Sequence, residues 1–145
     1  MAVDVTTEVE IARPRHEVAA YAADPDNATE WYENIRSVAW ASPRPLAVGS
    51  RVEFVAHFFG RRLSYTYEVV EHVPGERFVM RTAEGPFPME TTYTWADAGG
   101  GTTRMTLRNR GEPAGFAKVG APMISRAIRR ANGKDLRRLK ARLER

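Results

Sequence analysis

The sequence predicts an α+β fold in a single domain spanning residues 1–145. It combines an antiparallel meander that has one apolar face, two short helices after the first strand, and a long C-terminal helix. Three observations carry this. Apolar residues alternate with polar ones over successive short segments, the period of strands with one buried face. Short Gly- and Pro-containing turns separate the later segments, so consecutive strands are antiparallel neighbours. From Ala114 the apolar period lengthens to that of a helix. A chain of 145 residues buries about two thirds of the surface its unfolded form exposes, enough for a core without staples.

Residues 3–11 set Val3, Val5, Thr7, Val9 and Ile11 against acidic and hydroxyl side chains, which reads as a half-buried strand. Pro14 suits a first helical turn, and Val18, Ala19, Tyr21 and Ala22 form a short helix ending near Asp24-Pro25-Asp26. A second short helix is expected from Asn27 to Tyr32, with Asp26 as its N-cap. Ile35 to Ala41 returns to a strand, and Pro43, Pro45 and Gly49 mark the connection after it. Five more strands follow at 51–59, 62–72, 77–83, 88–96 and 102–110. Gly60-Arg61, Pro74-Gly75, Gly85-Pro86 and Asp97-Ala98-Gly99-Gly100-Gly101 are the turns between them.

One phase of these strands is large and soft. It reads Val52, Phe54, Ala56, Phe58; Leu63, Tyr65, Tyr67, Val69; Phe78, Met80; Phe87, Met89, Thr91, Tyr93, Trp95; Met105, Leu107. Rings, Met and single hydroxyls line hollows for apolar ligands. The other phase carries Arg51, Glu53, His57, Glu68, Arg77, Arg81, Glu90, Thr92, Arg104 and Arg108, charges of both signs suited to cross-strand pairs in water. In the C-terminal helix, Phe116, Met123, Ala127 and Ala131 form one stripe. Ile124, Ile128, Leu136, Leu139 and Leu143 form a second, rotated by roughly a third of a turn. Pro122 lacks a donor, so the helix starts or kinks there, and a bend is expected near Gly133.

Composition removes several chemistries. There is no Cys, which excludes disulfides, thiolate metal sites and Cys nucleophiles and suits a reducing cytoplasm. The first residues have no basic and apolar leader pattern, and no run approaches the roughly 18 apolar residues of a membrane span. A cytoplasmic protein is expected. His16, His57 and His72 show no ligand spacing, so no metal and no cofactor are expected. The Gly99-Gly100-Gly101 run precedes a strand, so it reads as a turn instead of a phosphate loop. The net charge of +4 is uneven: residues 114–145 hold ten Lys/Arg against Asp135 and Glu144. This basic segment reads as a solvated helix face, with an interaction module acting through the basic helix as an alternative. The aromatics lie on the opposite phase from the basic residues, so no nucleic-acid partner is expected.

The order strand, two short helices, six strands, long helix resembles the SRPBCC superfamily (Bet v 1-like, START-like and polyketide cyclase/dehydrase-like proteins). The opening Val9-Glu10-Ile11-Ala12-Arg13-Pro14, the turn Asp24-Pro25-Asp26-Asn27 followed by Trp31, and Gly49-Ser50-Arg51-Val52 carry the resemblance. So do the hairpin from Tyr67 to Phe78 around Pro74-Gly75, the Gly101-Thr102-Thr103 strand opening, and the closing run from Asp135 to Glu144. The resemblance implies a helix-grip fold: a curved seven-stranded antiparallel sheet wrapped around the long C-terminal helix, with a cavity between them. Members bind lipids, sterols, polyketides and hormones, and some are aromatases or cyclases.

Ligand binding in that cavity is therefore the expected function, for a small hydrophobic molecule that is lipid-like, aromatic or polyketide-like. The expected lining is Trp31 and Tyr32 at the mouth, and Phe54, Phe58, Tyr65, Tyr67, Met80, Phe87, Met89, Thr91, Tyr93, Met105 and Asn109 on the sheet. Met123 and Ala127 are expected to complete it from the helix, and Thr103 also points inward. A pocket of roughly 300 Å³ or more is required for such a ligand. A cyclase/aromatase-type enzyme using the same cavity is an alternative. Cyclase relatives hold the chain with a few inward polar groups, often Arg and Tyr; tyrosines point inward here, whereas Arg51 and Arg108 fall on the wet phase. No catalytic residue is assigned, and both turnover and assembly, a homodimer included, stay open at this level.

Overall fold

The computed structural model describes residues 2–58, 60–113 and 120–145. Phe59, the expected end of the third strand, and Phe116 and Lys118 lie outside them. The chain runs β1 (Val3–Ile11), α1 (Arg15–Ala23), a 3-10 turn (Pro25–Asn27), α2 (Ala28–Trp31), β2 (Ile35–Trp40), β3 (Arg51–Phe58) and β4 (Arg61–Val73). It continues with β5 (Arg77–Glu84), β6 (Met89–Gly99), β7 (Thr102–Gly111) and α3 (Ala121–Leu143). The strands form one seven-stranded sheet in the order β1-β7-β6-β5-β4-β3-β2, antiparallel throughout. β1 joins the meander by pairing with β7, Val3 opposite Gly111 and Ile11 opposite Thr103. Register shifts at Ile35/Ser37, Thr66/Tyr67, Val69/Glu71 and Asp97/Gly99 bend the strands and curl the sheet.

The corner after α1 differs from expectation. Asp26 does not cap α2: the residue before that helix is Asn27, which makes no side-chain cap bond, while Asp24 caps the 3-10 turn, its carboxylate accepting from Asp26 N at 3.0 Å. Pro25 takes the first helical position, which makes the residue before it the cap. Asp26 is thereby released to accept from Trp40 Nε1 at 2.9 Å, and its other oxygen accepts from Arg44 at 2.9 Å. The Arg44 guanidinium lies 4.7 Å over the Trp40 ring, so this corner is tied to the end of β2.

Two apolar clusters fill the concave side. The first lies under α1 and α2 and includes Ile11, Val18, Trp31, Phe78, Met105, Leu107, Leu136 and Leu139. The second joins Val3, Leu63, Tyr65, Phe87 and Ile124, with Ile128 and Met89 packed against it. α3 spans both, and it runs unbroken through Gly133. Its buried residues are Ile124, Asn132, Asp135, Leu136 and Leu139. The other stripe is not the inner one: Met123 is 55% exposed. Only the Ile/Leu stripe extends the whole length of the helix, so docking that stripe buries the most apolar surface.

The convex face carries the expected ion pairs. Arg108 meets Asp4 at 2.5 Å, Arg51 meets Glu68 at 3.0 Å, and Glu90 sits between Arg81 and Arg110 at 2.7 and 2.8 Å. Such exposed pairs each stabilise by about 0–1 kcal/mol. Thr92, expected outside, is buried between its cross-strand neighbours Val79 and Arg108.

One close approach fixes the end of β7. A Cβ on Gly111 would lie 2.3 Å from the Pro88 carbonyl oxygen and 3.0 Å from Met89 Cα, backbone that cannot swing aside. Gly111→Ala is expected to destabilise by about 2–3 kcal/mol, the overpacking range. Gly100→Ala, at φ +61 with nothing within 4 Å, is expected to cost only about 1 kcal/mol. Urea unfolding of both variants checks this, and equal losses contradict it.

Candidate functional site

Between the two clusters the concave face leaves a cavity of about 170 Å³. Its floor is Phe54, Tyr65, Tyr67, Met80, Thr91 and Tyr93 from the sheet, its roof Ile128, Ala131, Asn132 and Asp135 from α3. Tyr32, Asn34 and Ile35 close one side, and Ala56, His57, Phe58, Leu63, Phe87, Met89, Asn109 and Pro113 the rest. The volume falls short of the 300 Å³ expected because the rings pack on one another inside it. Phe54 and Tyr67 stand 5.7 Å apart, Tyr65 and Phe87 5.6 Å. What is left suits one ring: an engineered apolar cavity of about 150 Å³ holds benzene.

Most of the expected lining residues are on the wall: Tyr32, Phe54, Phe58, Tyr65, Tyr67, Met80, Phe87, Met89, Thr91, Tyr93 and Asn109. Four are not. Trp31 is wholly buried in the first cluster, its ring 4.0 Å from that of Tyr32, so Tyr32 faces the hollow in its place. Met105 pairs with Trp95 and Val9, four residues along β7 from Asn109 and thus roughly 14 Å away. Of the stripe expected to complete the wall from the helix, Ala131 reaches it, whereas Met123 is 55% exposed and Ala127 is half-buried off the wall. Thr103 does point inward, but it donates to the Arg13 carbonyl at 2.7 Å and is off the wall.

Several polar groups lie on the wall. The Tyr32 and Tyr93 hydroxyls are 2.6 Å apart, and Thr91 Oγ1 donates to Asn109 Oδ1 at 2.6 Å. Burial pushes the Tyr67 phenol up to about 12 and raises those of Tyr32, Tyr65 and Tyr93 as well, so all four are protonated donors at neutral pH. On α3, the Asn132 Nδ2 group is buried and has no partner among the described residues. Asp135, 2% exposed, accepts from the Glu33 N–H at 3.1 Å. Burial pushes its carboxyl up to about 6, while the Glu33 N–H and the Arg138 guanidinium pull it down.

Sequence reasoning missed Asn132 and Asp135 although a signal was there. They fall four and seven residues after Ile128, as polar residues on the apolar stripe. Asn34 and Ile35 carry no such signal; the Glu33–Asp135 bond anchors the residue just before them. No Arg or Lys lines the cavity among the described residues. On the basic helix, Arg138 faces Glu33 at 3.9 Å, Lys140 meets Glu144 at 2.6 Å and Arg142 meets Glu30 at 3.5 Å. Arg126, Arg129, Arg130, Lys134 and Arg137 are exposed. A second hollow of about 600 Å³ lies between α1 and the β4–β5 turn, lined by His16, Trp40, Leu46, His72 and Trp95. Two of its three charged side chains, Asp26 and Arg44, bond each other, and the third, Asp24, caps the 3-10 turn.

The Asp135 carboxyl titrates from an ordinary 3.8 when unfolded to about 6 when folded, so the folded state holds its proton longer. Its contribution to stability is full below about pH 3.8 and is lost as pH rises through about 6. Asp135→Asn cannot ionise and is expected to gain about 1–3 kcal/mol over wild type between about pH 4 and pH 8. Urea unfolding across that range measures the difference; parallel profiles contradict the buried carboxyl.

Residues 2–144 match the family described as polyketide cyclase / dehydrase and lipid transport. No curated protein matches the chain in sequence. Among solved structures it is similar to TTHA0849 from Thermus thermophilus, at TM-score 0.82 and 20% identity, covering 97% of this chain and 96% of that one. It is equally similar to a START superfamily protein from Mycobacterium smegmatis, at TM-score 0.82, 15% identity and 97% of both chains. The Zhui aromatase/cyclase from Streptomyces sp. R1128 aligns at TM-score 0.82 and 17% identity, covering 100% of this chain and 95% of that one. These likenesses confirm the helix-grip architecture that the order of elements implied. The chain belongs to the family described as polyketide cyclase / dehydrase and lipid transport, and it has the fold of the START-like structures.

Proposed function

We propose that the protein binds a small, mostly apolar ligand of about one ring in the cavity between the sheet and α3. One observation carries the reading: a mostly apolar hollow of about 170 Å³ between the sheet and α3, with a few hydroxyl, amide and carboxyl groups on its wall. Apolar walls supply affinity through burial, and a few placed donors and acceptors orient the guest. The lipid transport in the family's description and the aromatase/cyclase relative support an apolar or aromatic guest. Absence of Cys fits a cytoplasmic setting. Binding is preferred to turnover because the wall presents no cation to hold an enolate among the described residues. Docking through the basic helix is not adopted, since three of its charges are engaged with acidic side chains of the same chain.

Toluene serves as the test probe. Saturable binding with a dissociation constant of about 0.1–1 mM is expected by ligand-observed NMR, from the affinity so few atoms can supply. Ala131→Phe places a ring in the cavity and is expected to weaken binding at least tenfold with unchanged circular dichroism. Failure of wild type to bind, or full binding by the variant, overturns the reading.

A further inference from the structure

We propose that Asn132 and Asp135 form a hydroxyl-recognition subsite, and that the guest is a single-ring phenol whose hydroxyl bridges them. This rests on the cavity being a binding site. Both side chains line the cavity from the same face of α3. They are three residues apart, which sets their Cβ atoms about 5–6 Å from one another. One oxygen fits between two such groups at ordinary hydrogen-bond lengths.

Each group lacks what the other offers. Asn132 is 6% exposed, and its Nδ2 donor has no partner among the described residues. Asp135 is 2% exposed; one oxygen takes the Glu33 N–H, and the other accepts from no described residue. A buried polar group left unsatisfied costs about 1–3 kcal/mol, so the unpartnered Asn132 Nδ2 on an otherwise apolar helix face needs an account. Asn132 does not serve helix stability, since leucine there would bury apolar surface without that penalty.

The chemistry of the pair selects the guest. A hydroxyl is both donor and acceptor at one atom: it donates to the free Asp135 oxygen and accepts from Asn132 Nδ2. An ether or carbonyl satisfies Asn132 alone and leaves the carboxylate facing a lone pair. An ammonium has no acceptor, so it satisfies Asp135 and leaves the Asn132 Nδ2 donor unpaired. The rest of the wall asks for a flat ring, with Phe54, Tyr67 and Tyr93 around it and the Met80 thioether as an adaptable neighbour. The cavity of about 170 Å³ has room for one such ring and a small substituent.

Three single-ring probes separate the possibilities: 4-methylphenol, 4-methylanisole and toluene, titrated into the full chain by NMR or calorimetry. Wild type is expected to bind 4-methylphenol at least tenfold more tightly than either of the others, although toluene is the most hydrophobic of the three. In Asn132→Leu that ratio is expected to fall to within about threefold. Toluene or 4-methylanisole binding as tightly as 4-methylphenol overturns the subsite and leaves the cavity reading standing. Saturation by none of the three overturns the cavity reading itself. An undiminished ratio in Asn132→Leu removes Asn132 from the subsite. Should that variant not fold, the wild-type comparison of the three probes decides alone.

Discussion

One helix cannot cover seven strands. Six inter-strand spacings of about 4.8 Å make the flat sheet roughly 29 Å wide, whereas a helix with its side chains is about 10–12 Å across. The apolar concave face must nonetheless leave water. The chain meets this constraint in two ways. It curls the sheet, with register shifts in β2, β4 and β6, and it lays α1, α2 and the wholly buried Trp31 over one end. α3 then bridges from that end, through Leu136 and Leu139, to the second cluster at Ile124. The space between the two clusters is what neither helix nor sheet fills.

That space is shaped by the residues that border it. Tyr67 packs against both clusters, and the linked Tyr32 and Tyr93 hydroxyls stand where a tighter aliphatic core would have closed. Aromatic side chains span such a gap with few rotatable bonds and keep a polar tip. The same geometry explains the two polar residues on α3: facing a void instead of packed side chains, Asn132 and Asp135 escape the steric demands of the core while remaining dry. The convex face contributes little to this. Its ladder of Asp4–Arg108, Arg51–Glu68 and the Glu90 pairs keeps that side wet and the register unambiguous.

The sheet was legible because alternation is a local property. Inward residues such as Phe54, Tyr65, Met80 and Tyr93 could be read off one strand at a time, and all reach the wall. The helix was not, because two stripes a third of a turn apart both looked apolar, and only docking on the sheet decides between Met123 and Ile124. Trp31 and Tyr32 show the same limit: the two adjacent rings lie 4.0 Å apart, and tertiary packing chooses which one is swallowed. Asp135 was hidden for a different reason. An acidic residue in a run of Arg and Lys reads as surface until the period is counted from Ile128.

All of this requires that the hollow between the clusters is real, apolar and empty of side chains. Diffraction from a crystal under xenon pressure tests it most directly, since xenon occupies dry apolar voids without needing a polar contact. One interior xenon site bordered by Tyr67, Met80 and Ala131 is the predicted result. Xenon density only at the surface, with those three side chains in van der Waals contact, would contradict it.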